Sequence, residues 1–389
     1  EAQRLRKGAD HETPLLPTAP ATEHEAFVDT SDQADLIRLA VRTNNYSLAA
    51  EILDFYWDES KGGTTALHSS YDSRTGASVT VVPRYERPTE SPRTARAQLA
   101  VAAAALDFAE ATGDESAWQL ATGLMTIVLE EFRSPGEDGG RPSGITETAA
   151  SDRRNRLGFT LWPGSDRYKL ETNAKALIVL RRIADTAGER FQKPDFGEAL
   201  RTQTEWLTNH IAPELERTGV APNGLFEIQD IQNETEALGV SKWTSASAWL
   251  ALLEAAELID LPEEKRRLWL ENLARLHGAR VGELWGLDWS LAISRPDAIS
   301  PELTAQFYHA ASRAGHTGAA AFAREHLGKI LARFEKEPPA KVITTYAPSK
   351  RLPTGQGDSI YPRTNYNSWP GSLGMFVDLG DADSAWPAA

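Results

Sequence analysis

One pattern recurs along the chain and constrains its fold more than any other feature. A long polar loop leads into a smooth, Ala-rich helix, and a tight turn returns the chain through a second, more charged helix. The stretch from Pro83 to Phe132 carries all the parts. Its loop reads Pro83-Arg84-Tyr85-Glu86-Arg87-Pro88-Thr89-Glu90. Ser91-Pro92 then predicts a helix start, because a Ser hydroxyl accepts an orphan N–H and proline at the first helical position loses no bond. Leu99, Ala102, Ala103, Leu106 and Ala109 follow at helical spacing. Thr112-Gly113-Asp114 makes the turn, with Asp114 as N-cap of a partner helix through Leu120, Leu124, Val128 and Leu129.

The same order returns further along. Leu161-Trp162-Pro163-Gly164-Ser165-Asp166-Arg167-Tyr168 precedes a helix through Leu177 and Leu180, a turn at Ala187-Gly188, and a partner over about 195–211. Phe226-Glu227-Ile228-Gln229-Asp230 precedes helices over about 244–259 and 263–277, joined by the capping-box-like Asp260-Leu261-Pro262-Glu263. Leu284-Trp285-Gly286-Leu287-Asp288-Trp289 precedes a second Ser-Pro start at Ser300-Pro301 and helices over about 302–313 and 318–334. Trp-Pro-Gly-Ser occurs at 162 and again at 369, each time ahead of an apolar helix. The period is about 70 residues, longer and less regular than tetratricopeptide or HEAT arrays. Smooth helices suit an inner ring and charged ones an outer ring, and the long loops then all lie at one end.

The chain before Pro83 is read separately. Ser31 or Asp32 caps a first helix with Leu36, Leu39 and Ala40 on its apolar stripe; Asn44-Asn45 breaks it, and a second helix carries Leu48, Ile52, Leu53 and Phe55. Leu67 to Tyr71, a turn at Arg74-Thr75-Gly76, and Val79 to Val82 predict a small β-hairpin. Residues 133–160 form a long excursion. Residues 1–30 are polar and punctuated by Pro14, Pro17 and Pro20, and read as a tail or linker following a removed export signal. That expectation carries a secreted or periplasmic location with it, and 31–389 is read as a single domain.

Composition narrows the function classes. The net charge of −14 disfavours nucleic acid, whose phosphates need a basic surface. With no cysteine there is no disulfide, thiolate chemistry or Cys-type zinc site. No apolar run approaches the ~20 residues of a membrane span. The histidines show no His-x-x-His or His-Glu-x-x-His spacing, and no phosphate-binding Gly-rich loop is present, so no metal or nucleotide cofactor is expected. A calcium ion held by loop acids stays open. Tryptophan is abundant, at 11 residues, a bias that suits carbohydrate binding as well as core packing.

The loop–inner helix–outer helix order, the Ala111-Thr112-Gly113-Asp114 turn, and the Trp and acid residues crowding the loops together resemble the (α/α)6-barrel proteins known as six-hairpin glycosidases. The resemblance is architectural and spans roughly 31–378. It implies an all-α toroid of paired helices with a small β-hairpin, and a sugar-binding funnel at the N-termini of the inner helices. Hydrolases, uronate lyases and sugar epimerases share that architecture, so fold alone does not choose among them.

Hydrolysis of a glycosidic bond needs two carboxyl groups. The loop acids able to face a common funnel are Glu86, Glu90, Asp166, Glu171, Glu227, Asp230, Asp288 and Asp358. Glu86 ranks first, flanked by Arg84, Tyr85 and Arg87; Asp288 lies between Trp285 and Trp289, and Asp358 sits in Gly-Gln-Gly-Asp. Each has a plainer role open to it: Glu90 suits a helix N-terminus, Asp358 a turn, and the Trp pair a core. Glu86, Asp288, Asp358 and Glu90 are the catalytic candidates. Arg84, Tyr85, Arg87, Trp162, Arg167, Trp285, Trp289, Tyr361, Arg363, Tyr366 and Trp369, with Trp243 beside them, are the substrate-binding candidates. The expected function is hydrolysis of a polysaccharide or oligosaccharide. A lyase or epimerase using Tyr and Arg, and a non-catalytic scaffold that binds glycan or protein, are the alternatives.

Overall fold

A computed structural model describes residues 13–16, 27–78, 91, 93–134, 144–145, 170–188, 191–192, 194–213, 246–287 and 299–334. Among these the chain is helical, with paired short strands between the helical hairpins. The first hairpin is α1 (Thr30–Arg42) with α2 (Tyr46–Glu59), and the second α3 (Ala95–Thr112) with α4 (Glu115–Glu131). The third is α5 (Leu170–Thr186) with α6 (Gly197–Trp206), which runs on through a π turn over Leu207–Ile211. The fourth is α7 (Ala246–Leu258) with α8 (Glu263–His277), and the fifth α9 (Pro301–Arg313) with α10 (Thr317–Phe334). The first member of each pair packs on the first member of the next: α1 on α3, α3 on α5, α5 on α7, α7 on α9. Each second member packs outside its own partner. Among the described residues the five hairpins thus follow the inner-and-outer order of an (α/α) toroid.

The turns explain the hairpins. Asn44 takes φ 56° after α1, Gly113 φ 80° after α3, Asp260 φ 54° after α7 and Gly315 φ 65° after α9, so a left-handed residue stops each inner helix or the turn after it. Asp114 caps α4 by accepting from Ala117 N at 2.8 Å, and Ser300 caps α9 by accepting from Leu303 N with Pro301 behind it. The Ser91-Pro92 expectation fails. Helix α3 starts at Ala95 with Thr94 as its cap, because Ser91 is taken elsewhere: its Oγ bonds the hydroxyls of Ser69 and Ser70 at 2.7 and 2.8 Å. Asp29 rather than Ser31 or Asp32 caps α1, and Pro262 stands at the α8 cap position with no side-chain bond, so no capping box forms.

The strands are short. β1 (Phe27–Asp29) pairs antiparallel with β2 (Ser70–Asp72). The reversal expected after β2 is present: Asp72 N donates to Ala77 O, and Tyr71 bridges to Ser78, while 79–82 lie outside the described residues. β3 (Arg133–Ser134) pairs with β4 (Gly144–Ile145), and β5 (Gly278–Val281) with β6 (Leu284–Leu287). β6 lies in the stretch read as a polar loop. Its last residue is tied to α9: Leu287 N donates to Thr304 Oγ1 at 2.9 Å, and Ser300 N donates to Leu287 O at 2.7 Å.

Two buried clusters make up most of the core. One joins α1–α4 to Ala176, Val179, Leu180 and Ile183 of α5. The other joins α7–α10 and the end of α6 to Ala174, Leu177 and Ile178 on another side of the same helix. Part of the N-terminal stretch is packed as well. Leu15 and Leu16 are 1% exposed, and Gln33 bonds both the N–H and the carbonyl of Leu16. No helix among the described residues is long and apolar enough to cross a membrane.

Candidate active site at the inner-helix N-termini

The inner helices are not apolar all round. Asp35, Arg38 and Arg42 follow on α1 at three- and four-residue spacing; Arg96 and Asp107 on α3, and Glu171, Lys175 and Arg182 on α5, stand at multiples of it. In a ring, a polar stripe of this kind faces its counterparts across the axis while the apolar stripe faces the outer helices. The N-terminal ends of these stripes converge. Lys175 Nζ donates to Glu171 Oε1 at 2.6 Å, one helical turn apart on α5. Ser247 Oγ, in the first turn of α7, donates to the other Glu171 oxygen at 3.2 Å. Glu302, in the first turn of α9, feels Asp35, Arg96, Lys175 and Glu171, contributed by α1, α3 and α5. All five inner helices therefore bring a polar side chain to one mouth.

Burial pushes the Glu302 carboxyl up to about 7, reinforced by the Asp35 charge, against the pull of Arg96 and Lys175. Asp35 is raised too, chiefly by burial, with Arg38, Lys175 and Arg96 opposing. Yet both side chains keep part of their surface open. A carboxyl that protein surrounds while solvent still reaches it is what the base of a funnel provides. Among the described residues neither carboxyl is at hydrogen-bond or ion-pair distance from a partner. With Glu302 pushed up to about 7 and Glu171 ion-paired to Lys175, the mouth holds a carboxyl that keeps its proton below that pH and a carboxylate that can accept one.

Of the candidates read from sequence, Glu171 and Trp285 are the ones described. Glu171 joins the mouth. Trp285 is on β6, 8% exposed, with its ring 5.4 Å from Phe307, 5.1 Å from Phe322 and 6.5 Å from His326. Its backbone N–H donates to His326 Nδ1 at 3.0 Å. Glu86, Glu90, Asp166, Glu227, Asp230, Asp288, Asp358, Arg84, Tyr85, Arg87, Trp162, Arg167, Trp243, Trp289, Tyr361, Arg363, Tyr366 and Trp369 lie outside the described residues. Leu287, the last described residue before Ile299, bridges to Ser300 at the α9 N-terminus. Asp35 and Glu302 were not picked out by the sequence reading. Their immediate neighbours are apolar, Ala34 and Leu36 beside Asp35 and Pro301 and Leu303 beside Glu302.

No family model matches the chain, and no curated protein matches it in sequence. Solved structures do match over nearly the whole chain. A sugar epimerase from a ruminal bacterium has a TM-score of 0.61 at 11% identity, covering 97% of this chain and 94% of its own. Cellobiose 2-epimerase from Spirochaeta thermophila has 0.57 at 16%, covering 95% and 92%. A glycosidase variant in complex with glucose has 0.59 at 11%, covering 97% and 93%. The fold is thus that of the (α/α)6 barrel, with epimerase and glycosidase structures among its neighbours.

Proposed function

We propose that this chain is a carbohydrate-active enzyme, a glycoside hydrolase acting on a polysaccharide or oligosaccharide held in the funnel. The observation that carries the reading is the convergence of Asp35, Glu171, Glu302, Arg96, Lys175 and Ser247 at the inner-helix N-termini. Glu302 is the general acid: pushed up to about 7, its carboxyl keeps its proton in mildly acidic solution and donates it to the leaving glycosidic oxygen. The second carboxyl activates water or attacks the anomeric carbon. Glu171 is its first candidate, and Asp35, Glu86, Asp288 and Asp358 are the positions at which substitution tests it. Lys175 and Arg96 hold the ionised carboxylates and the sugar hydroxyls in register. Trp162, Trp289 and Trp369 supply the apolar faces on which sugar rings pack.

One observation favours a second reading. The cations Lys175 and Arg96 act on Glu302, and such cations stabilise the enolate formed when a base removes a proton next to a sugar carbonyl, as in epimerisation. Product analysis separates the two. Hydrolysis releases new reducing ends from oligosaccharides. Epimerisation conserves chain length and, in deuterated water, incorporates deuterium at the inverted carbon. Under the hydrolase reading, Glu302→Gln lowers the rate of reducing-end release by about 10²–10⁴-fold. Near-wild-type turnover in that variant removes Glu302 from the mechanism.

A further inference from the structure

Below the mouth a second charge network joins three successive inner helices, and no step of the proposed chemistry uses it. Arg38 lies one turn deeper on α1 than Asp35. Its Nε donates to Asp107 Oδ2 at 2.8 Å, and Arg182 Nη2 reaches Asp107 Oδ1 at 2.7 Å. Arg182 also holds Glu110 Oε2 at 2.9 Å and the Ala103 carbonyl at 3.3 Å. Both oxygens of one carboxylate on α3 are thus engaged by guanidinium groups, one from α1 and one from α5. Burial by itself would raise the Asp107 carboxyl; the two arginines outweigh it and hold the group below its ordinary range. Of the cations acting on Asp35, Arg38 is the strongest.

We propose that Asp107 is a positioning residue for the mouth: clamped by Arg182, it fixes the Arg38 guanidinium one helical turn below Asp35, the carboxyl whose charge reaches Glu302. Its catalytic consequence rests on the proposed role of Glu302, but the charge coupling does not. The groups facing the pair are Arg38 and Asp29 from α1 and its cap, Arg96 from α3, and Lys175 and Glu171 from α5. Glu254 of α7 acts on Arg38 and Arg42 from the far side. Asp107 has a guanidinium from a different helix on each of its two oxygens, and a clamp of this kind fixes direction as well as charge.

The test reads the Glu302 proton without turnover. The pH dependence of unfolding is compared between the natural chain and Glu302→Gln, then repeated with Asp107→Asn in both. Without Asp107, Arg38 turns to Asp35 alone, the site gains net positive charge, and the Glu302 midpoint falls by about one pH unit. Asp185→Asn removes one charge from an exposed α5 ion pair with Arg181 and leaves the midpoint in place. A midpoint unmoved by Asp107→Asn, or moved equally by Asp185→Asn, overturns the proposal. Should Asp107→Asn fail to fold, Asp107→Glu keeps the charge but lengthens the arm and displaces Arg38. Positioning then predicts a smaller shift in the same direction, and an unmoved midpoint overturns it. Absence of glycan turnover would refute the hydrolase reading and leave this measurement intact.

Discussion

Replacing Glu302 by Gln has a thermodynamic consequence that can be worked out before any substrate is known. The carboxyl has an ordinary value of 4.5 and is pushed up to about 7, first by burial and then by the charge of Asp35. Between those values the unfolded chain has released the proton and the folded protein has kept it. Folding takes up a proton in that window, so this group's contribution is fully present below 4.5 and is lost as pH rises toward about 7. The gap corresponds to at most about 3 kcal/mol, reduced by whatever solvent reaches the half-buried group. Gln carries no such proton. Glu302→Gln therefore gains stability relative to the natural chain across the window and holds the gain above it. With an unfolding entropy of about 2.1 cal/mol/K per residue over 389 residues, 3 kcal/mol is a rise of about 4 °C in the melting temperature. Thermal unfolding followed by circular dichroism, from about pH 4 to pH 9, measures it. A difference between the two proteins that stays flat with pH would refute the claim that Glu302 is held neutral. A difference that shrinks as pH rises would mean that the carboxylate is ionised and paired.

Two further outcomes test the packing that carries the mouth. Gly123 of α4 lies against Gly63, and a Cβ at Gly123 would meet the Gly63 carbonyl oxygen at 2.5 Å and its Cα at 2.9 Å. Gly123→Ala, ordinarily a gain of about 1 kcal/mol in a helix interior, should instead lower the urea stability by about 1–3 kcal/mol; a stabilised variant would show that the two backbones separate freely. Thr94→Ala removes the α3 cap and should cost about 1 kcal/mol in the same assay. Equal stability of that variant and the natural chain would mean that α3 is started by packing alone.

The helical hairpins were legible because each carries its own punctuation. Asp114 after Gly113 and Ser300 before Pro301 are local signals, and local chemistry decides them. Ser91-Pro92 misled because Ser91 has better partners in Ser69 and Ser70, about twenty residues earlier in the chain, and no local rule sees them. The mouth escaped for a related reason. On a single helix, Asp35 and Arg38 read as an ordinary polar face, and a polar face is by default turned to bulk water. Only closure of the ring turns that face inward, where Asp35 meets charges from α3, α5 and α9. Glu171 was found because it opens a helix directly after a loop already marked as polar. Glu302 opens one too, but the Ser300-Pro301 start explained its position, and an acid in a first turn needs no further reason.

The division of the core at α5 bears on how the molecule comes apart. Among the described residues, α5 gives Val179, Leu180 and Ile183 to one buried cluster and Leu177 and Ile178 to the other, and it is the inner helix that belongs to both. Each cluster is large enough to act as a cooperative unit, so loss of order in one half need not drag the other with it. The toroid should then behave as two hemispheres sharing a hinge-pin, with amides of α5 exchanging as slowly as those of the more durable hemisphere. A mouth assembled from both hemispheres, with Asp35 on one side and Glu302 on the other, is lost as soon as either one opens. Function would therefore fail at a lower temperature than the secondary structure does.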